Sequence, residues 1–181
     1  LNINGLKRPK VLKMFPIILD VSRVEIVVIG EGPATERRLG LLRDSGASNL
    51  KYFKELPDEI EYERADIVFL ADFDDDTSNR LKDLIRKKGI LVNVEDKIDL
   101  CDFHVPAIVR RGDLLITSST GGKSPGLARR IRKELQQQFN EEWKERMGEM
   151  AAKREEWKKQ GLSFEEVGKK TEEFINEKGW F

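Results

Sequence analysis

Residues 25–46, EIVVIGEGPATERRLGLLRDSG, decide the fold. The run from Glu25 to Ile29 is β-branched and apolar without alternation, which suits a parallel strand covered on both faces. Gly30 and Gly32 follow, then Pro33, Ala34 and Thr35, and the chain turns helical over 33–45 with Leu39, Leu41 and Leu42 before stopping at Gly46. Gly30, Gly32 and Thr35 keep the G-x-G-x-x-G/A spacing of a dinucleotide loop. The first glycine permits the tight turn, the second lets the backbone approach a diphosphate, and the helix N-terminus meets its charge. Thr35 is small, though neither glycine nor alanine, and Pro33 is tolerated in a first helical turn where no amide donor is needed.

Outward from this unit the same signals recur. The runs FPIIL (15–19), LKYF (50–53), IVFLA (67–71), ILVNV (90–94) and LLITS (114–118) are of strand length and composition. A helix is expected over 77–88, opening in an Asp/Thr cluster, carrying Leu81, Leu84 and Ile85, and ending at Gly89. Strand, helix and strand in repetition predict an α/β fold, a Rossmann-type parallel sheet with right-handed crossovers. In such a sheet the acid that grips the adenosine ribose ends the second strand of the unit, where the chain offers Lys54 and then Glu55. A lysine there leaves the choice between NAD and NADP open.

After Ser124-Pro125 the strand signal ends. A serine N-cap with proline in the first turn opens a helix whose stripe is Leu127, Ile131, Leu135, Phe139, Trp143 and Met147. A second helix starts after Gly161, with Ser163 and Glu166 as a capping box and Leu162 and Val167 as the hydrophobic staple. The C-terminal third is thus helical and strongly charged, with Trp143, Trp157 and Trp180 as core anchors. Its apolar stripe must lie on its own sheet or on a second subunit.

Bulk properties exclude several classes. Lys+Arg and Asp+Glu are both 33, so no net field draws nucleic acid or an anionic membrane. The basic stretch 121–133 has no interleaved aromatics, against a nucleic-acid surface. No apolar run approaches the roughly 18–20 residues needed to cross a bilayer, and LNINGLKRPKVLK lacks a signal-peptide core, so a cytoplasmic protein is expected. One cysteine, Cys101, admits no intramolecular disulfide and reads as small apolar filler. One histidine, His104, cannot supply a two-imidazole metal site within a chain, and reads as a partly exposed residue of a connecting segment.

Taken in order, FPIILDV (15–21), VVIGEGPATERR (27–38), DDDTSN (74–79) and VNVEDKIDLCDFHVPAIVRRGDLLITSSTGGKSPGLARRIRKEL (92–135) resemble the siroheme synthase N-terminal family, the precorrin-2 dehydrogenases. The specific part is the succession N-V-x-D, F-x-x-P-A, R-G-x-L and S-T-x-G-x-S-P-x-L-A-R-x-I-R. The resemblance implies oxidation of precorrin-2 to sirohydrochlorin with NAD as hydride acceptor, and some members also insert ferrous iron. By position it implies Asp96 as the catalytic aspartate and Gly30, Gly32, Pro33 and Ala34 as the nucleotide loop, with Lys54, Glu55, Ala71 and Asp72 beside the cofactor. It further implies a homodimer built by the helices beyond the Gly-Gly-x-Ser-Pro loop, near which the tetrapyrrole binds.

Residue chemistry runs the same way. Oxidising the macrocycle needs a base for the released proton, and an aspartate just past a parallel strand's C-terminal end suits that task. The substrate is a polycarboxylate, for which Thr120, Gly121, Lys123 and Ser124 offer backbone amides, hydroxyls and a cation. Glu31 stands where the family commonly has glycine, and Asp72-Phe73 where it has small residues. The expected organisation is a basic leader (1–13), an NAD-binding Rossmann domain (14–112), and a dimerisation and helical domain (113–181). The rival reading is a non-catalytic module that senses dinucleotide and signals through a helical dimer; it needs 25–54 but not Asp96.

Overall fold

The computed structural model describes residues 14–181, so the basic leader expected at 1–13 lies outside the described residues. The chain forms two compact units, the first ending at Val105 and the second spanning Pro106–Phe181.

In the first unit the strands are β1 (Glu25–Ile29), β2 (Asn49–Phe53), β3 (Ile67–Leu70) and β4 (Leu91–Val94), and the helices are α1 (Pro33–Asp44) and α2 (Asp75–Arg86). All strand pairs are parallel and the order is β2-β1-β3-β4. The register sets Ile26 against Leu50 and Ile67, and Ile67 against Leu91. The unbroken apolar runs have the expected consequence: Ile26, Val28, Ile67 and Phe69 pack on Leu39 and Leu42 of α1, while Val27, Ile29, Val68, Leu70, Val92 and Val94 pack on Leu81 and Ile85 of α2. Alternate side chains of each central strand therefore feed opposite cores. The chain leaves β1 toward β2 and returns to pair β3 on β1's other side, which makes the space beyond β1 and β3 the switch point where this fold binds ligands.

The FPIIL run is not a strand. Phe15 is 85% and Ile18 75% exposed, and Pro16 has no N–H to donate to a ladder. The helix expected over 77–88 starts two residues earlier, where Asp74 accepts the Thr77 amide at 2.7 Å and caps it.

The second unit opens with a strand that the sequence reading missed. β5 (Ala107–Arg111) pairs antiparallel with β6 (Leu114–Ser118) across Gly112-Asp113, Gly112 holding φ 58°. LLITS thus belongs to a separate hairpin, not to the parallel sheet, because a turn this short can only reverse the chain. The helix expected to run through Met147 is two helices, α3 (Pro125–Gln138) and α4 (Trp143–Lys159), followed by α5 (Phe164–Lys178). At the break Phe139 leaves helical geometry (φ −106°, ψ 75°) and packs against Trp143, the ring centroids 5.0 Å apart and the planes tilted by 56°; Trp180 and Phe181 complete that cluster. The break thus lies where four aromatics gather. The capping box of α5 forms as expected, with Ser163 and Glu166 exchanging bonds and Leu162 packed on the buried group containing Val167. α3 packs on the hairpin, yet none of its residues is buried and Leu127 stays 52% exposed.

Candidate active site

The carboxyl ends of the four parallel strands lie side by side, and the chain leaves three of them through residues expected at the cofactor and the fourth through the expected catalytic aspartate. Gly30 follows β1, Lys54 and Glu55 follow β2, Ala71 and Asp72 follow β3, and Asp96 lies just past β4. Gly30 donates its amide to the Phe53 carbonyl at 2.9 Å, and Ala71 donates to Ile29 at 3.1 Å, so the bend is stitched to both neighbours. Only glycine fits at position 30: φ is 140°, and a Cβ would come within 2.0 Å of the Ala71 carbonyl oxygen. Gly32 has φ 153° and immediately precedes α1, with Pro33 in the first turn. The glycine bend at the head of α1 therefore has the backbone shape of a dinucleotide loop.

The start of α1 already meets an anion. Asp72, exposed and at φ 61°, accepts the Thr35 amide at 2.8 Å, the Thr35 hydroxyl at 2.8 Å and the Ala34 amide at 3.4 Å. The Thr35 amide chiefly, with its hydroxyl, the Ala34 amide and the charge of Arg37, holds the Asp72 carboxyl below the usual aspartate value against the opposing effect of burial. Thr35, the imperfect third member of the glycine pattern, is fully buried. Its hydroxyl supplies a bond to Asp72 that glycine or alanine could not. The other acid of the loop, Glu31, is drawn to Lys54, whose ammonium lies 2.5 Å away and is held above its ordinary pKa by that bond.

Asp96 occupies a left-handed turn (φ 60°) with its carboxylate exposed. Both neighbours are anchored. Glu95 pairs with Arg38 of α1, whose guanidinium lies over the Phe69 ring, 4.7 Å from its centroid. Lys97 donates to the Phe73 carbonyl at 2.7 Å and the Ser78 hydroxyl at 2.8 Å, and pairs with Asp75 at 3.0 Å. Behind the turn, buried Asn93 donates to the Phe103 carbonyl at 2.9 Å, and the Cys101 sulfur accepts the Val94 amide at 3.2 Å. Burial raises the Cys101 thiol pKa, in keeping with a packing role. His104 is half-buried in the segment leaving this core. Among the described residues, no three His, Cys, Asp or Glu side chains converge as a metal cage.

Arg38, Glu95 and Lys97 were not found from sequence. Lys97 had one signal, its adjacency to Asp96. Glu95 had the same signal, whereas Arg38 had none, because 57 positions separate it from Glu95.

In the second unit, Thr120, Gly121, Lys123 and Ser124 form one tight loop. The Thr120 hydroxyl donates to the Ser124 carbonyl at 3.1 Å and accepts the Ser124 amide at 3.2 Å, while Gly121 and Gly122 take φ 59° and 78°. Ser124 caps α3 through the Leu127 amide at 3.3 Å, and Lys123 is exposed. The Thr120 hydroxyl is thus committed to shaping the loop, which leaves Lys123 as its exposed charge.

Two family models match the chain: one described as NAD(P)-binding over residues 49–107, and one described as sirohaem biosynthesis protein central over residues 111–138. The siroheme synthase of Methylococcus capsulatus is 34% identical over 140 residues, covering 67% of this chain and 30% of the relative. That of Nitrosococcus oceani is 29% identical over 161 residues, covering 78% and 34%. The chain therefore spans about a third of the length of these relatives. Among solved structures, the precorrin-2 dehydrogenase SirC superposes with a TM-score of 0.68 over 90% of this chain and 89% of its own, at 20% identity, which shows a common fold. Among the described residues no helix is long and apolar enough to cross a membrane.

Proposed function

Because the chain belongs to the siroheme synthase N-terminal domain family, we propose that it is a cytoplasmic precorrin-2 dehydrogenase, which oxidises precorrin-2 to sirohydrochlorin. The observation that carries this reading is the position of Asp96, exposed in a left-handed turn at the same carboxyl edge as the Gly30–Gly32 bend.

The reaction removes a hydride and a proton from the macrocycle. Held at the Gly30–Gly32 bend, NAD would supply the acceptor for that hydride. Asp96 takes the proton on a carboxylate oxygen and releases it to water, a role suited to a group at the mouth of the sheet rather than within the core. Glu95 and Lys97 act as positioning residues, since anchoring both neighbours stops the turn from swinging the carboxylate away. Gly30, Gly32, Pro33 and Ala34 hold the dinucleotide, with Lys54, Glu55, Ala71 and Asp72 around them. The Thr120–Ser124 loop receives substrate carboxylates through the exposed charge of Lys123, the Gly121 amide being bonded to the Ser119 hydroxyl at 3.2 Å. The exposed apolar side of α3 is assigned to a homodimer contact.

The test is to supply purified protein with precorrin-2 and NAD while following NADH and sirohydrochlorin by absorbance, with and without ferrous iron. Product formation supports the dehydrogenase, and its further conversion when iron is present adds chelatase activity. Protein that binds dinucleotide but yields no product would overturn the enzyme reading in favour of a sensing module.

A further inference from the structure

The amides at the start of a helix attract a single anion, and in this chain a side chain supplies it. Pro33 has no N–H, so the first donors α1 can offer are the amides of Ala34 and Thr35. Both point at Asp72, at 3.4 and 2.8 Å, and the Thr35 hydroxyl adds a third bond at 2.8 Å. The same carboxylate lies against the second glycine of the bend, where a Cβ on Gly32 would come within 2.7 Å of the Asp72 carboxyl carbon. Asp72 reaches this place by adopting φ 61°, a conformation that side chains other than Asn and Asp seldom take.

In this fold those amides and that glycine are what a dinucleotide's diphosphate approaches. A carboxylate and a diphosphate carry charge of the same sign, so they cannot share one set of donors without mutual repulsion. Glu31, the other acid of the loop, has its charge paired with Lys54 at 2.5 Å. Among the described residues Asp72 has no such ion pair at bonding distance; its charge is met by the helix amides, the Thr35 hydroxyl and the more distant Arg37.

We propose that Asp72 is the affinity-setting residue of the nucleotide loop, an internal anion that competes with the diphosphate for the first amides of α1. NAD then binds weakly for as long as the carboxylate stays on α1, and tightly only when it leaves. This rests on the dinucleotide reading above and adds the residue that sets the affinity.

Two substitutions separate charge from shape. Asp72→Asn keeps an oxygen acceptor for the Thr35 amide and tolerates positive φ, but carries no charge. Asp72→Gly removes the side chain and is at ease at φ 61°. NAD is titrated calorimetrically into the wild-type chain and both variants, with far-ultraviolet circular dichroism to verify folding. The expected result is NAD binding at least about tenfold tighter in both variants, a change of about 1.4 kcal/mol. Wild-type affinity equal to or higher than that of the folded variants overturns the competition while leaving the dinucleotide reading intact. Absence of NAD binding in all three proteins overturns both. If one variant fails to fold, the other decides.

Discussion

The ammonium of Lys97 donates to the carbonyl oxygen of Phe73 at 2.7 Å, and so ties the turn that carries Asp96 to the loop that carries Asp72. The bond joins segments 24 positions apart. Lys97 also holds Ser78 and Asp75 at the start of α2, so one cation fixes the exits of two strands.

Replacing Lys97 with methionine keeps the stem and removes the charge. The variant is expected to lose stability by about 1–2 kcal/mol, because the Phe73 carbonyl and Ser78 hydroxyl lose a charged donor. Turnover of precorrin-2 should fall more steeply than the affinity for NAD, measured separately. A proportionate loss of both would mean that Lys97 holds up the whole edge rather than the Asp96 turn.

Asp96→Ala removes the proposed base. Turnover should drop by about 10²–10⁴-fold, the usual contribution of a positioned acid or base, with NAD binding retained. Steady-state kinetics beside direct binding measurements check this, and an Asp96→Ala variant of full activity would remove Asp96 from the mechanism.

Arg38 is almost wholly buried and Glu95 largely so, with side chains 9% and 22% exposed. Arg38→Met strands the Glu95 carboxylate, and a loss on the order of 2–3 kcal/mol is expected, at or just below the usual range for a broken buried pair because Glu95 keeps some water. The double variant Arg38→Met/Glu95→Gln should recover part of that loss. Urea denaturation of the single and double variants gives the coupling; additive losses would contradict it.

Asp72 and Asp74 cap α1 and α2, and hydrogen bonds from Thr35 and Thr77 respectively lower their carboxyl pKa values below 3.8. A depressed folded pKa means that the stabilisation is complete above 3.8 and disappears as pH falls through the lower folded value. Melting temperature followed downward from neutral pH should therefore show a smaller acid-induced drop in Asp74→Asn than in the wild type. An unchanged acid slope would mean that the cap makes no pH-dependent contribution.

Ser163→Ala breaks the capping box of α5, in which Ser163 and Glu166 exchange bonds at 2.7–3.3 Å. A loss of about 1 kcal/mol is expected. A thermal melt reads it, and Ser163→Asp should restore most of it.

What could be read from sequence was what neighbouring residues dictate. The β1–bend–α1 unit, both faces of the sheet and the α5 cap all follow from side-chain period, from the backbone freedom of Gly30 and from Ser163–Glu166 spacing, none of which reaches beyond a few residues. The resemblance to a known family then pointed to Asp96. Tertiary structure decided the rest. FPIIL has the composition of a strand but stays exposed, the helix stripe breaks at Phe139 where Trp143, Trp180 and Phe181 gather, and LLITS pairs within its own hairpin. Above all, Asp72 capping α1 from 37 positions away and Arg38 meeting Glu95 from 57 away depend on the strand order β2-β1-β3-β4. Backbone preferences act over a turn of chain, whereas charge finds its partner through space, and only the folded sheet sets which distant residues share that space.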